Sequence, residues 1–183
     1  MFAVIDTETT WANEVMSIGV VLGDDITQKP AGGVYFLITP YCNHPAMYEA
    51  QLYIRDIKVD ATGNRREIMK KLCDFLDGNG VTRILAYNAC FDKTHLPELA
   101  SYQWCDIMGL AGYKQYNKKI PSSAECSKSG RLKRGYGVEP IYRLLSGKCN
   151  YHETHNGYYD ALDELKIVEM LGYPIEKYDE VEI

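Results

Sequence analysis

The chain has 183 residues, 46% of them hydrophobic and 25% charged, and a formal net charge of −5. That length suits one domain able to bury a core without staples, and the composition excludes a disordered or membrane-embedded chain. No apolar run approaches the roughly 20 residues needed to cross a bilayer, the N-terminus lacks the basic-then-apolar layout of a signal peptide, and the expected location is cytoplasmic.

In chain order, residues 2–6 and 15–22 are short β-like runs and 33–39 (GVYFLIT) is a third. Gly23-Asp24-Asp25 and Pro30-Ala31-Gly32 supply turn formers between or beside them, which predicts a meander. From 65 to 76 the residues Ile68, Met69, Leu72, Phe75 and Leu76 recur at helical spacing, and Gly78 stops the helix. A fourth strand is expected at 83–87 (RILAY), and a helix of that length ahead of it implies a parallel crossover from the third strand. A helix at 91–100, a short apolar piece around Trp104, a helix-like VEPIYRLLS and a last helix at 158–171 follow, the last with Ala161, Leu165 and Val168 on one side. The tail EKYDEVEI is acidic and is expected to fray. Strands in a row, then helices with a parallel strand between, describe an α/β domain with a mixed central β-sheet flanked by α-helices.

Six cysteines (Cys42, Cys73, Cys90, Cys105, Cys126, Cys149) form no CxxC pair, and several sit in apolar runs such as KKLCDFL. Free, buried thiols are expected. Cys149, His152 and His155 have C-x2-H-x2-H spacing, but a structural zinc site wants four ligands and no fourth is near.

Carboxylates stand where apolar runs end. In a strand, residues i and i+2 share a face, so Asp6 and Glu8 of FAVIDTETTW project together if the extended conformation persists. Two adjacent carboxylates suit a solvated strand end or, between them, a hard divalent cation held by oxygen. Asp92 lies in LAYNACFDKTHL just past the fourth strand, and Asp160 in HNGYYDALDEL at the start of the last helix. Ligand sites of α/β sheets lie where strand ends converge. Glu164 shares a helix face with Asp160 at i+4 and reads as an exposed-face residue.

These three segments resemble the exonuclease motifs of the DEDD superfamily, histidine branch (DEDDh), which includes the proofreading subunit of bacterial DNA polymerase, oligoribonuclease and ribonuclease T. The first motif is Val4-Ile5-Asp6-Thr7-Glu8-Thr9-Thr10, the second Asn88-Ala89-Cys90-Phe91-Asp92 and the third His155-Asn156-Gly157-Tyr158-Tyr159-Asp160-Ala161. The resemblance covers roughly residues 2–171. It departs at Trp11, where the family usually continues with Gly-Leu, and at Tyr87, where it often has His. A third departure is Ser17-Ile18-Gly19, in place of a frequent Glu-Ile-Gly and expected to matter little to the chemistry.

The resemblance implies a ribonuclease H-like exonuclease fold and hydrolysis of the phosphodiester at a 3′ end with two divalent cations, Mg²⁺ or Mn²⁺, standing about 3.5–4 Å apart. Asp6 would bridge both, Glu8 and Asp160 would complete one site, Asp92 would serve the other, and His155 would be the general base. His152 competes for that last role. A histidine pKa near 6.5 suits the task, raised by nearby carboxylates and lowered by nearby cations. Thr7, Asn88 and Phe91 resemble positions that touch the terminal nucleotide, with the Thr7 backbone offered to the 3′-hydroxyl.

Between Tyr113 and Tyr136 lie Lys114, Lys118, Lys119, Lys128, Arg131, Lys133 and Arg134, opposed only by Glu125 and interleaved with Tyr113, Tyr116 and Tyr136. Cations for phosphates and aromatic faces for unstacked bases make a single-strand groove; a solvated loop has the same composition. The expected activity is a metal-dependent 3′–5′ exonuclease on single-stranded nucleic acid, DNA favoured and RNA open. A nucleic-acid-binding module and a metal-dependent endonuclease on the same fold are the alternatives. A polymerase or replication and repair partner is compatible with it, although no polymerase-binding domain or clamp-binding tail is recognisable.

Overall fold

Alternation along the first strand sends Phe2 and Val4 into one core and Ala3 and Ile5 into another, on opposite faces of a sheet. The computed structural model describes residues 1–183, apart from the side chain of Asp56. In it β1 (Phe2–Thr9), β2 (Val15–Gly23) and β3 (Pro30–Ile38) pair antiparallel in succession, as the meander predicts. A short β4 (Ala61–Gly63), which the sequence pattern does not reveal, runs parallel to β3 at the sheet edge.

Helix α1 (Arg65–Gly78) starts from a reciprocal capping box between Asn64 and Glu67 and buries Ile68, Met69, Leu72 and Leu76. It leads into β5 (Arg83–Ala86), which lies parallel to β1 with Ala3 opposite Ile84 and Val4 opposite Leu85. The crossover therefore carries the chain past β3 and β2 to the free side of β1, because β4 already occupies the outer edge of β3. The expected helix at 91–100 is shorter: α2 (Cys90–His95) ends before Pro97, which opens a separate helical turn, Pro97–Leu99. The apolar piece around Trp104 is a strand, β6 (Gln103–Asp106), parallel to β5, and the sheet order is β4-β3-β2-β1-β5-β6.

The short α3 (Met108–Ala111), α4 (Val138–Ser146) and α5 (Gly157–Leu171) cover the face that receives Phe2 and Val4; α1 and α2 cover the other. The acidic tail does not fray. Ile175 and Tyr178, spaced one helical turn apart, are buried in the helical turn Ile175–Val181, and the Ile183 amide donates to the Trp104 carbonyl at 3.0 Å. Of the cysteines, Cys42 and Cys105 are buried, Cys73 and Cys126 half-buried, and Cys90 and Cys149 exposed; all six are free thiols. Among the described residues no helix is long and apolar enough to cross a membrane.

Candidate active site

Asp6 and Glu8 stand on the face of β1 that α5 covers, in register with Gly19 and Ser17 of β2. The covering helix comes unusually close. A Cβ placed on Gly19 would lie 2.1 Å from the carbonyl carbon of Gly157, and one on Gly157 would lie 3.0 Å from the Asp6 carbonyl oxygen. Two residues without side chains thus let the first turn of α5 rest on the backbone of β1 and β2. That contact brings Asp160, in the first turn and 2% exposed, to the same place as Asp6 and Glu8. The stretch Ser17-Ile18-Gly19, which the sequence reading set aside, is therefore a positioning element through its glycine.

Asp92 arrives from the opposite side. It is buried in α2, and its Oδ1 accepts from the Thr7 amide at 3.0 Å and the Thr7 hydroxyl at 2.7 Å. Because β5 is in register with β1 only at Ile84 and Leu85, the Tyr87 amide has no strand partner and donates instead to Glu164 Oε2 at 3.0 Å. Glu164 is 2% exposed, so its assignment to an exposed helix face is corrected: i+4 from Asp160 points it at the strand ends. Asp160 itself accepts from the amides of Asn156 (2.9 Å) and Thr154 (3.2 Å), which ties the chain entering α5 to its first turn.

The cleft has a volume of about 370 Å³ and is lined by Asp6, Glu8, Asp160, His155 and Glu153, with Thr7, Trp11, Met47, Tyr48 and Phe91 among its walls. One oxygen of Glu8, one of Asp160 and one ring nitrogen of His155 lie within 4.8 Å of one another. Burial raises the Asp6 carboxyl well above the carboxylate range, and the charges of Asp92, Glu164, Asp160 and Glu8 push it further. Burial likewise raises Glu8, with Glu153 and Asp92 adding to it, and Asp160, with Glu153 and Glu8 adding to it. Glu153 is pushed up to about 7 by burial and by Glu139 and Asp163. Among the described residues no lysine or arginine forms an ion pair with Asp6, Glu8, Asp92, Glu153, Asp160 or Glu164. A converging all-oxygen set without a protein counter-ion fits hard divalent cations.

His155 has a left-handed backbone (φ 56°) immediately before Asn156, the N-cap of α5. Its pKa is lowered, because burial, the larger effect, outweighs the opposing charge of Glu139, which raises it as expected of a carboxylate. The zinc arrangement does not form: His152 is exposed with Nδ1 3.3 Å from Glu139, and neither it nor Cys149 joins the group made by Glu8, His155 and Asp160.

The nucleotide-contact residues divide. Phe91 is 40% exposed and faces the cleft, so it is not core. Thr7 lines the cleft, and its amide donates to Asp92 Oδ1. Asn88 does not line the cleft; its amide donates to Asp106 Oδ1 at 2.9 Å. None of Lys114, Lys118, Lys119, Arg131, Lys133 and Arg134 lines it either. Lys114 and Lys118 donate to the carbonyls of Ser122 and Gln115, Arg134 pairs with Glu125, and Arg131 lies over the Tyr136 ring, its guanidinium carbon 5.3 Å from the centroid. The segment is a folded excursion rather than a loose loop, with Asn117, Ile120 and Leu132 buried. Sequence reasoning missed Glu153 and Tyr48. Glu153 was findable as the acid in His152-Glu153-Thr154-His155, whereas Tyr48 sits in a stretch without periodicity.

No family model matches the chain, and no curated protein matches it. Solved structures do. Exonuclease X in complex with 5′ overhanging duplex DNA is similar over 99% of this chain and 99% of its own, at 21% identity and a TM-score of 0.59. The nuclease domain of 3′hExo, a DEDDh family member, bound to rAMP, matches 92% of this chain and 89% of its own at 17% identity and a TM-score of 0.64. E. coli Exonuclease I in complex with a dT13 oligonucleotide matches 98% of this chain but 42% of its own, at 14% identity and a TM-score of 0.60. The chain shares the α/β fold of these exonuclease structures, a mixed six-stranded sheet flanked by helices.

Proposed function

We propose that the chain is a metal-dependent 3′–5′ exonuclease acting on single-stranded nucleic acid, with DNA favoured over RNA. The observation that carries this reading is the meeting of Asp6, Glu8 and Asp160 with a histidine nitrogen in one cleft, with Asp92 fixed beside them by Thr7. The likeness to exonuclease folds supports it.

Asp6 would hold both of two divalent cations, Mg²⁺ or Mn²⁺, with Glu8 and Asp160 on one and Asp92 on the other. Bound there, such cations supply a hydroxide at neutral pH and stabilise the leaving oxygen. His155 takes the proton from the attacking water, a role for which a lowered pKa keeps the imidazole neutral and basic at pH 7. Glu164 holds the end of β5 in place and adds negative charge behind Asp6. Phe91 and Trp11, both exposed at the cleft, offer faces to terminal bases. Lys114, Lys118, Lys119, Arg131, Lys133 and Arg134 lie outside the cleft and would meet phosphates further from the reacting end; the Tyr87 hydroxyl, which donates to the Tyr136 carbonyl, links their segment to the second motif.

The test is a gel time course on 5′-labelled single-stranded DNA and RNA of matched sequence with Mg²⁺, Mn²⁺ or EDTA, and a circular single strand as control. A cation-dependent ladder shortening from the 3′ end, with the circle intact, is expected. Cutting of the circle would make the chain an endonuclease, and binding without cleavage would make it a nucleic-acid-binding module.

A further inference from the structure

The segment between β3 and β4 has no part in the three motifs, yet it holds the third one in place. Its helical turns, Tyr41–Asn43 and Glu49–Asp56, are anchored by Leu52, fully buried in a small core with Met16, Tyr35, Leu37 and Cys42. The Tyr35 hydroxyl donates to the Leu52 carbonyl at 3.1 Å. From this base the segment reaches the start of α5 at three points. The Asn156 side-chain Nδ2 donates to the Gln51 carbonyl at 2.8 Å. The Arg55 guanidinium carbon lies 5.1 Å from the centroid of the Tyr159 ring. The Tyr48 ring stacks on the His155 imidazole, centroids 3.7 Å apart and planes 9° from parallel.

We propose that Tyr48 is the positioning residue for the general base His155, an inference that rests on the exonuclease reading. Among the described residues the His155 ring makes no hydrogen bond, so the stack is the directional restraint that the structure gives it. A hydrogen bond would occupy one ring nitrogen. Stacking restrains the plane and leaves both nitrogens on the free edge, one of them within 4.8 Å of oxygens of Glu8 and Asp160. A general base works only within hydrogen-bond reach of the proton it takes, and misplacement by about 1 Å can cost on the order of 100-fold in rate. Tyr48 is half-buried in the cleft wall, and its segment is fixed by a core separate from the two that hold the sheet.

The experiment compares Tyr48→Leu, which fills the space without stacking, with Tyr48→Phe, which keeps the ring, each alone and combined with His155→Ala. Rates are taken on 5′-labelled single-stranded DNA at saturating Mn²⁺. Tyr48→Leu should lower kcat by roughly 10- to 100-fold with little change in KM, and Tyr48→Phe should recover most of the loss. In the His155→Ala background Tyr48→Leu should have no further effect, because it acts through the histidine. The wild-type His155 ring protons, assigned by their absence in His155→Ala, should show a ring-current shift in NMR that Tyr48→Leu abolishes. An active wild type whose Tyr48→Leu variant keeps its kcat, or loses as much again without His155, would overturn the role of Tyr48 alone. A wild type inactive with either cation, its ring-current shift intact, would overturn the exonuclease reading and reduce the stack to packing.

Discussion

The amide and the hydroxyl of Thr7 both donate to one oxygen of Asp92, at 3.0 and 2.7 Å. A residue between the two first-motif carboxylates thereby fixes the second-motif carboxylate, and the other Asp92 oxygen remains for a ligand. Thr7→Val keeps the shape and the amide but removes the hydroxyl. It should cost about 1–2 kcal/mol of stability and weaken Mn²⁺ binding by ~10-fold. Thermal unfolding with and without Mn²⁺ reads both, and an unchanged Mn²⁺ midpoint would show that the hydroxyl does not orient Asp92.

The contact between Gly19 and Gly157 has no room for a methyl group. Gly19→Ala should push the first turn of α5 off the sheet, with a loss of about 3 kcal/mol and a larger fractional loss of exonuclease rate than of folded protein. Circular dichroism melting and single-turnover rates on the same preparation separate the two effects. Full activity at reduced stability would mean that Asp160 reaches its place without the close approach.

Carboxyls raised by burial bind protons more tightly in the folded chain than in the unfolded one, so the metal-free fold loses stability as pH rises. Glu8 and Glu153 rise to about 7 and Asp160 to about 8. In EDTA the stability that these groups contribute should be full below the unfolded carboxyl range, near 4, and fall as pH rises from there toward pH 8 by a few kcal/mol, or a Tm drop on the order of 10 °C. Adding Mg²⁺ or Mn²⁺ at pH 8 should restore most of it. A Tm that is flat with pH in EDTA would contradict the uncompensated burial of these groups.

Glu164→Gln keeps an acceptor for the Tyr87 amide and removes a buried negative charge. At pH 8 in EDTA it should raise the Tm, while Mn²⁺ affinity should fall by ~10-fold. Isothermal titration calorimetry checks the second effect. Unaltered affinity would confine Glu164 to holding β5.

Asp6→Ala should leave no detectable hydrolysis in a folded protein that no longer gains stability from Mn²⁺. His155→Ala should slow the chemical step by roughly 10²- to 10⁴-fold and keep that gain. Equal loss of the Mn²⁺ response in both variants would make the histidine a ligand instead of a base.

The strands that alternate cleanly and the capped, periodic α1 could be read from sequence because local pattern decides them. Asp6, Glu8, Asp92, His155 and Asp160 could be picked out as three spaced motifs. What could not be read depends on contacts between distant segments. Trp104 lies in a four-residue strand that is recognisable only beside β5, and Tyr178 is buried only because the tail folds back over β6. Glu164 has the composition of an exposed helix position, and its burial follows from an amide left without a partner seventy-seven residues away. In the basic segment the charges are where the sequence says, and their place outside the cleft is set by the path of the chain between α3 and α4.

The unpaired acids of the cleft also dictate a sequence of events for the proposed exonuclease. A bare pocket of carboxylates repels the phosphates it is meant to cut, in a chain that is already negative overall. Cations held by these acids would have to load before a strand could be admitted. Cation supply would then gate substrate entry as well as chemistry, and the proposed enzyme would idle in a metal-poor solution without any inhibitor.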